Sequence, residues 1–449
     1  MTGSPFQPAA AGDAAIAAVL KQQPLGKIHP QGWMIEPETR AVCAALAADG
    51  AEVRFIGGCV RDTLMKRAVR DIDLALAVAP GETMALLHSA GIRAIPTGID
   101  HGTVTAVIEH KHFEITSLRV DVETDGRRAR VAFTDDWVAD AARRDFTINA
   151  MSASMAGDVY DYFGGIEDLA QGRVRFVGNA RERIVEDALR MLRFFRFFAT
   201  YGRPPADLEA LEACAERAVD VRGLSGERVR GELFRTLMAD EPCDVIELMR
   251  EFGVLAHVLP EAGGSEILRT LVWLETKAIR LDSVNPDPTR RLAALVVTDA
   301  AGAAALADRL KFSNRERRRL ITAVAPPTPV TPDAPAHAIR QALHRLGIHE
   351  VRDLALLGWA AELAPTARLP RSRTEAWIDL LTTIEAWRPV AFPLKGRDAL
   401  ALGLRSGPEI GAALRDIEAW WEADGCIADR EACLRRLGAA MAKGETGAR

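Results

Sequence analysis

The chain has 449 residues, 48% hydrophobic and 27% charged, enough for two to four domains with an ordinary globular balance. No apolar run approaches the ~18 residues of a membrane span, and the N-terminal stretch lacks a basic start followed by an apolar block, so neither a membrane anchor nor a signal peptide is expected. The net charge of −5 points to no nucleic-acid partner by itself, so any such contact must rest on local patches.

In chain order, "PETRAVCAALAADG" (37–50) predicts a helix and "AEVRFIGG" (51–58) a strand ending in a glycine turn. A short helical segment follows, then "DIDLALAV" (71–78) as a strand and "GETMALLHSAGI" (81–92) as a helix. "GTVTAVIE" (102–109), "HFEITSLRV" (112–120) and "ARVAF" (129–133) read as further strands, rich in Val, Ile, Thr and Phe. From about Asp161 strand signals thin out and amphipathic helical patterns run to the end. The fold class is therefore α+β, a mixed-sheet head followed by a long all-helical part. Five prolines within 324–337 make that stretch the best candidate linker. Six scattered cysteines with no C-x-x-C spacing predict reduced thiols in a cytoplasmic protein.

Two features carry chemistry in the head. Asp71 and Asp73 are two apart on a predicted strand, so they share one face while Ile72 points to the core. Carboxylates that close repel unless a cation lies between them, and a pair of Mg²⁺ ions suits both oxygen ligands and an in-line phosphoryl displacement. Upstream, Gly57-Gly58 lies between strand and helix, where free backbone N–H groups can approach an anion, and Arg61 follows one turn later. The spacing matches neither G-x-x-x-x-G-K-[ST] nor G-x-G-x-x-G, which excludes both common nucleotide motifs here. What remains is a phosphate cradle facing a metal pair.

Further along, residues 173–196 hold seven arginines against three carboxylates, and "KFSNRERRRL" (311–320) is a second cationic patch. Asp187, Arg190, Arg193 and Arg196 recur every three residues, drifting around one side of a predicted helix. The neighbouring phenylalanines of "MLRFFRFF" read as core.

These segments together resemble the class II tRNA nucleotidyltransferase and bacterial poly(A) polymerase family, in the DNA polymerase β superfamily. "GGCVRDTLMKRAVRDIDLAL" is similar to its first signature, "RRDFTINA" (143–150) to its second, and "DYFGGIEDLAQGRVRFV" (161–177) to its third. "EDALRMLRFFRF" (186–197) resembles the nucleotide-selecting helix and "LSGERVRGEL" (224–233) the fifth motif. The order of all five is the family's.

The resemblance implies metal binding by Asp71 and Asp73, with Glu114 as a possible third acid or an ordinary strand glutamate. It implies triphosphate contacts by Gly58, Arg61 and Arg144, and Asp145 near the ribose. For the base, a carboxylate only accepts hydrogen bonds and a guanidinium only donates. Asp187 can accept from the exocyclic amine of C or A while Arg190 donates to the ring nitrogen; U and G present a carbonyl there instead. Arg193 and Arg196 would support the base pocket or the phosphates.

The implied enzyme adds C, C and A to the 3′ end of tRNA from CTP and ATP with two Mg²⁺, without a template. Its partners are tRNA and nucleoside triphosphates, with no membrane and no protein partner inferred. The alternatives are a poly(A) polymerase, a partial CC- or A-adding enzyme, and a catalytically dead RNA-binding relative. The last would be expected to lack a residue among Asp71, Asp73, Asp187 and Arg190, and all four are present.

The family's organisation divides the chain into an N-terminal extension (1–33), a nucleotidyltransferase head (34–160), a neck (161–240), a helical body (241–325), a Pro-rich linker (326–336) and a helical tail (337–449). RNA contact is expected from the tail, where Lys395-Gly396-Arg397 and Ser406-Gly407-Pro408 flank a short helix. Residues 121–137 occupy the place of the family's flexible loop.

Overall fold

The computed structural model describes residues 23–125, 128–366, 368–405 and 407–442. The chain forms two compact units, one of residues 1–224 and 248–258, the other of 225–247 and 259–449.

The first unit is built on an eight-stranded sheet. Its strands are β1 (Gly26–Lys27), β2 (Val53–Ile56), β3 (Ile72–Leu76), β4 (Arg93–Gly98), β5 (Thr103–Ile108), β6 (Lys111–Ser117), β9 (Ser152–Ser154) and β10 (Asp158–Tyr160). The spatial order is β1-β10-β9-β2-β3-β6-β5-β4, with β3 and β6 parallel and every other pair antiparallel. Alternation sets the two faces. Val53, Phe55, Ile72, Leu74, Leu76, Val104, Ala106, Phe113 and Ile115 are buried. The helices α1 (Pro37–Leu46) and α3 (Pro80–Ser89) contact each other, and α3 contacts β4 and β5. Between them in sequence, α2 (Gly58–Leu64) joins β2 to β3. The other face of the sheet carries Asp73 and Glu114.

The expected strand at 112–120 divides at Leu118, whose N–H donates to the Leu76 carbonyl. Beyond it, β7 (Arg119–Asp125) leaves the main sheet and pairs with β8 (Arg128–Phe133) as a separate two-stranded sheet. The segment expected as a flexible loop is thus mostly hairpin. β4, β9 and β10 were not legible in the sequence.

After the hairpin come α4 (Trp137–Ala142), α5 (Ala180–Glu186) and α6 (Leu189–Tyr201). Asp136 starts α4 by accepting from the N–H groups of Val138 and Ala139. The single helix expected over 186–197 is two helices, because Asp187 leaves helical geometry at φ −154°, ψ 106°. Phe194, Phe195 and Phe197 are buried, as expected of core residues.

The second unit is helical. Its interior holds an ion network rather than apolar side chains alone: Glu275 accepts from Arg290 Nε at 2.7 Å and from Arg291 Nε at 2.7 Å, and Asp353 accepts from Arg290 and Arg319. Glu275 and Arg291 are almost wholly buried. Glu275→Ala would leave the buried Arg291 guanidinium without a carboxylate and Arg290 with Asp353 alone, and denaturant unfolding should show a loss of about 3–5 kcal/mol.

Of the cationic patch at 311–320, Arg319 turns to Asp353 and Asp287 and Arg317 pairs with Asp308, while Arg315 and Arg318 are exposed. No helix occupies 325–335, where Val330 is buried and Asp333 pairs with Arg373. The short helix expected near Lys395 spans Gly396–Ala401; Ser406 lies outside the described residues. All six cysteines are buried and unpaired, and burial pushes the Cys43 and Cys59 thiols up to about 12. Among the described residues no helix is long and apolar enough to cross a membrane.

Candidate active site

β3 and β6 bring three carboxylates together. Asp73 and Glu114 are direct cross-strand partners, and Asp71 lies just before β3. Ile72 is buried between the two aspartates, as the alternation predicts. No hydrogen bond or ion pair engages the Asp71, Asp73 or Glu114 side chains among the described residues. Burial, then the charges of Glu114 and Asp71, raise the Asp73 carboxyl to about 6 against the lowering effect of Arg144 and Arg61.

Such a group opposes folding once ionised. The penalty begins above the ordinary carboxyl pKa near 4 and is complete above about 6. Asp73→Asn should therefore raise the melting temperature at pH 7.5 in EDTA by about 2 °C or more, with the difference vanishing near pH 4.

The donor set fits a hard divalent cation. Among the described residues, no three His, Cys, Asp or Glu side chains are gathered tightly enough to enclose an ion alone. Mg²⁺ needs no such cage, since it keeps waters and substrate phosphates in its shell and takes one or two carboxylates from the protein.

At the end of β2, Gly57 turns the chain into α2 with φ 66°, a conformation that favours glycine. A Cβ there would lie 3.5 Å from the Arg144 guanidinium, and one on Gly58 would lie 3.6 Å from that of Arg61. Both arginines therefore lean over the turn.

Asp140, only 3% exposed, fixes Arg144. Its Oδ2 accepts from Arg144 Nη2 at 2.9 Å and its Oδ1 from Arg143 Nη2 at 2.7 Å. Burial raises the pKa of Asp140, but the two guanidinium charges outweigh it and hold the carboxyl below its usual range.

Arg61 is held on three sides. It donates to both oxygens of Asp62 and to Asn149 Oδ1, and its guanidinium lies 4.2 Å over the Tyr201 ring. Asn149 Nδ2 donates in turn to Asp145 Oδ1 at 3.0 Å, and Asp145 Oδ2 accepts from Arg193 Nε at 2.6 Å. One continuous chain, Arg61–Asn149–Asp145–Arg193, thus ties the glycine turn to α6. Burial raises the Asp145 pKa, and the Arg193 charge with the Asn149 bond overcomes it, so the group stays ionised.

The Phe197 ring draws Arg61, Arg193 and Arg196 to within 5.2, 5.4 and 4.2 Å of its centroid, where the electron-rich face favours cations.

At the junction of α5 and α6, Asp187 Oδ1 accepts from the N–H of Leu189, the first residue of α6, at 3.1 Å. Arg190 pairs with Glu186 and donates to the carbonyls of Arg183 (3.0 Å) and Arg143 (3.2 Å). Arg190 is thereby tied to the backbone of Arg143, the residue before Arg144.

The chain is similar to known proteins. A family model described as "Poly A polymerase head domain" matches residues 53–175, and one described as "Probable RNA and SrmB- binding site of polymerase A" matches 207–263. The mitochondrial CCA tRNA nucleotidyltransferase 1 of Mus musculus is 34% identical over 410 residues, covering 88% of each chain. The chain belongs to the CCA tRNA nucleotidyltransferase family. Its human relative of the same name is 36% identical over 397 residues, covering 85% of this chain and 86% of its own. The CCA-adding enzyme of Bacillus stearothermophilus in complex with CTP has a similar fold, with a TM-score of 0.71 at 24% identity, covering 92% of this chain and 99% of that one.

The sequence reading named Arg61, Arg144, Asp145 and Arg193 and missed Asp140 and Asn149, which hold them. Asp140 and Asn149 both lie in or beside "RRDFTINA", and each bonds to side chains of that segment. The signal available was the acid four residues before Arg144 on one helical turn. Asn149→Ala would leave Arg61 and Asp145 each short of a partner. Steady-state kinetics should show kcat/KM for CTP and for ATP falling about tenfold or more.

Proposed function

We propose that this member of the family adds C, C and A to the 3′ end of tRNA, using CTP, ATP and Mg²⁺ in the cytoplasm. The observation that carries the proposal is the chain of contacts from the glycine turn through Asn149 and Asp145 to Arg193, beside three carboxylates that have no hydrogen-bond or ion-pair partner among the described residues.

Asp71 and Asp73, with Glu114, would hold Mg²⁺, which when bound supplies activation of the attacking hydroxyl and charge neutralisation on the triphosphate. The backbone at Gly58, with Arg61 and Arg144, holds the triphosphate, and Asp145 orients the ribose side of the site. Asp187 and Arg190 read the base, and Arg193 and Arg196 brace that pocket. The 3′ oxygen of the acceptor forms a bond to the α-phosphorus, the bond from that phosphorus to pyrophosphate breaks, and the hydroxyl proton passes to solvent.

The division into head (34–160), neck (161–240), body (241–325), linker (326–336) and tail (337–449) assigns chemistry to the first two and grip on tRNA to the tail. Arg315 and Arg318 are exposed cations suited to phosphate contact. Buried, unpaired thiols accord with a reducing compartment.

The test is incubation with tRNA lacking its last three nucleotides and one nucleotide at a time. CTP alone should give two additions, while ATP, UTP and GTP alone should give none. Extension with ATP alone would contradict the proposal.

A further inference from the structure

The two sides of the carboxylate cluster are unlike. On one side of β3 lies β2, whose terminal turn carries Gly57 with Arg61 and Arg144 leaning over it. On the other lie β6, β5 and β4, with an open strip on the carboxylate face. The register fixes its members. Asp73 pairs with Glu114, Glu114 with Thr105 and Thr105 with Ile95. Two residues before Glu114 on β6, His112 pairs with Val107, and Val107 with Arg93. The Thr97 hydroxyl meets that of Thr105 at 2.8 Å, so both lie on this face. His112 and Arg93 are exposed, and the Arg93 side chain has no ion pair or hydrogen bond among the described residues.

In-line displacement requires the attacking oxygen and the leaving pyrophosphate to lie on opposite sides of the α-phosphorus. With the triphosphate held on the β2 side, the attacking hydroxyl must arrive over β6, β5 and β4. Strands are about 4.8 Å apart, so the strip reaches about 14 Å from Asp73 to β4. At about 3.4 Å per stacked nucleotide this is the length of three or four nucleotides.

We propose that this strip seats the 3′-terminal segment of the acceptor RNA, with Arg93 on a backbone phosphate and the Thr105 and Thr97 hydroxyls on ribose oxygens. These are positioning residues for the reaction proposed above, and the inference rests on that reading. A phosphate contact suits Arg93 because it is an exposed and uncompensated cation. Hydroxyls suit ribose because they both donate and accept.

The test uses the full chain and tRNA lacking its last three nucleotides. Arg93→Ala and Thr105→Val should each raise the KM for that tRNA about fivefold or more, leaving the KM for CTP and the kcat at saturating tRNA unchanged. Arg93→Ala should also reduce the slope of log affinity against log salt by about one, in a binding titration without divalent metal. Arg93→Lys and Thr105→Ser should restore most of the loss, which a general folding defect would not allow. Unchanged KM for tRNA in both variants, or a rise in the KM for CTP instead, would overturn the assignment while leaving the parent reaction standing. If the unaltered protein adds nothing to this tRNA, the parent reading fails.

Discussion

Replacing Asp71 and Asp73 together by Ala should lower nucleotide incorporation by at least about 10³-fold, while binding of tRNA in a titration stays within about twofold of the unaltered protein. The size follows from the chemistry: stabilisation of transition-state charge by a bound metal is worth several kcal/mol, and each 1.36 kcal/mol is a factor of ten. Binding should survive because phosphate contacts dominate the affinity of proteins for nucleic acid, and among the described residues no cation depends on either carboxylate for a hydrogen bond or ion pair. The fold should survive as well. Asp71 is exposed, and the raised pKa of Asp73, to about 6, marks a group whose ionisation costs stability at neutral pH. Loss of activity with loss of folding would point to a structural role. Retained incorporation would remove the carboxylates from the mechanism.

Asp187→Asn should weaken discrimination between CTP and UTP by about 10–100-fold, measured as the ratio of kcat/KM values with the same acceptor. A carboxylate accepts from the amine of C or A and meets a second acceptor on U or G; an amide can turn its NH₂ towards that carbonyl instead. The mismatch it removes is worth about 1–3 kcal/mol. Asn is the informative replacement because its carbonyl can still accept from the Leu189 N–H, keeping the start of α6. A uniform loss of rate with all nucleotides, at unchanged selectivity, would show that Asp187 acts only by holding the start of α6.

The parts of this site that the sequence made legible are those written in short-range periodicity. D-x-D on an apolar strand told that both carboxylates share a face, and Gly57 with φ 66° sits where a strand had to turn. Glu114 was ambiguous because its role depends on register between β3 and β6, which no local pattern encodes. The strands β9 and β10 have three residues each, with too little alternation to register as strands, and β4 is interrupted by Pro96. The break at Asp187 was hidden because the arginine spacing continues across it at helical period. Asp140 and Asn149 were missed for a related reason: each acts by holding other side chains, and those partners are brought to them by the fold. The Arg61–Asn149 bond joins residues 88 apart in sequence and the Asp145–Arg193 pair residues 48 apart.

The central claim is that one site adds a fixed triplet without a template, and sequencing of product ends tests it most directly. tRNA lacking its last three nucleotides is incubated with all four nucleoside triphosphates and Mg²⁺, and the new 3′ ends are read. The proposed chemistry predicts C, C, A and then arrest. A run of A residues, or arrest after CC in the presence of ATP, would contradict it.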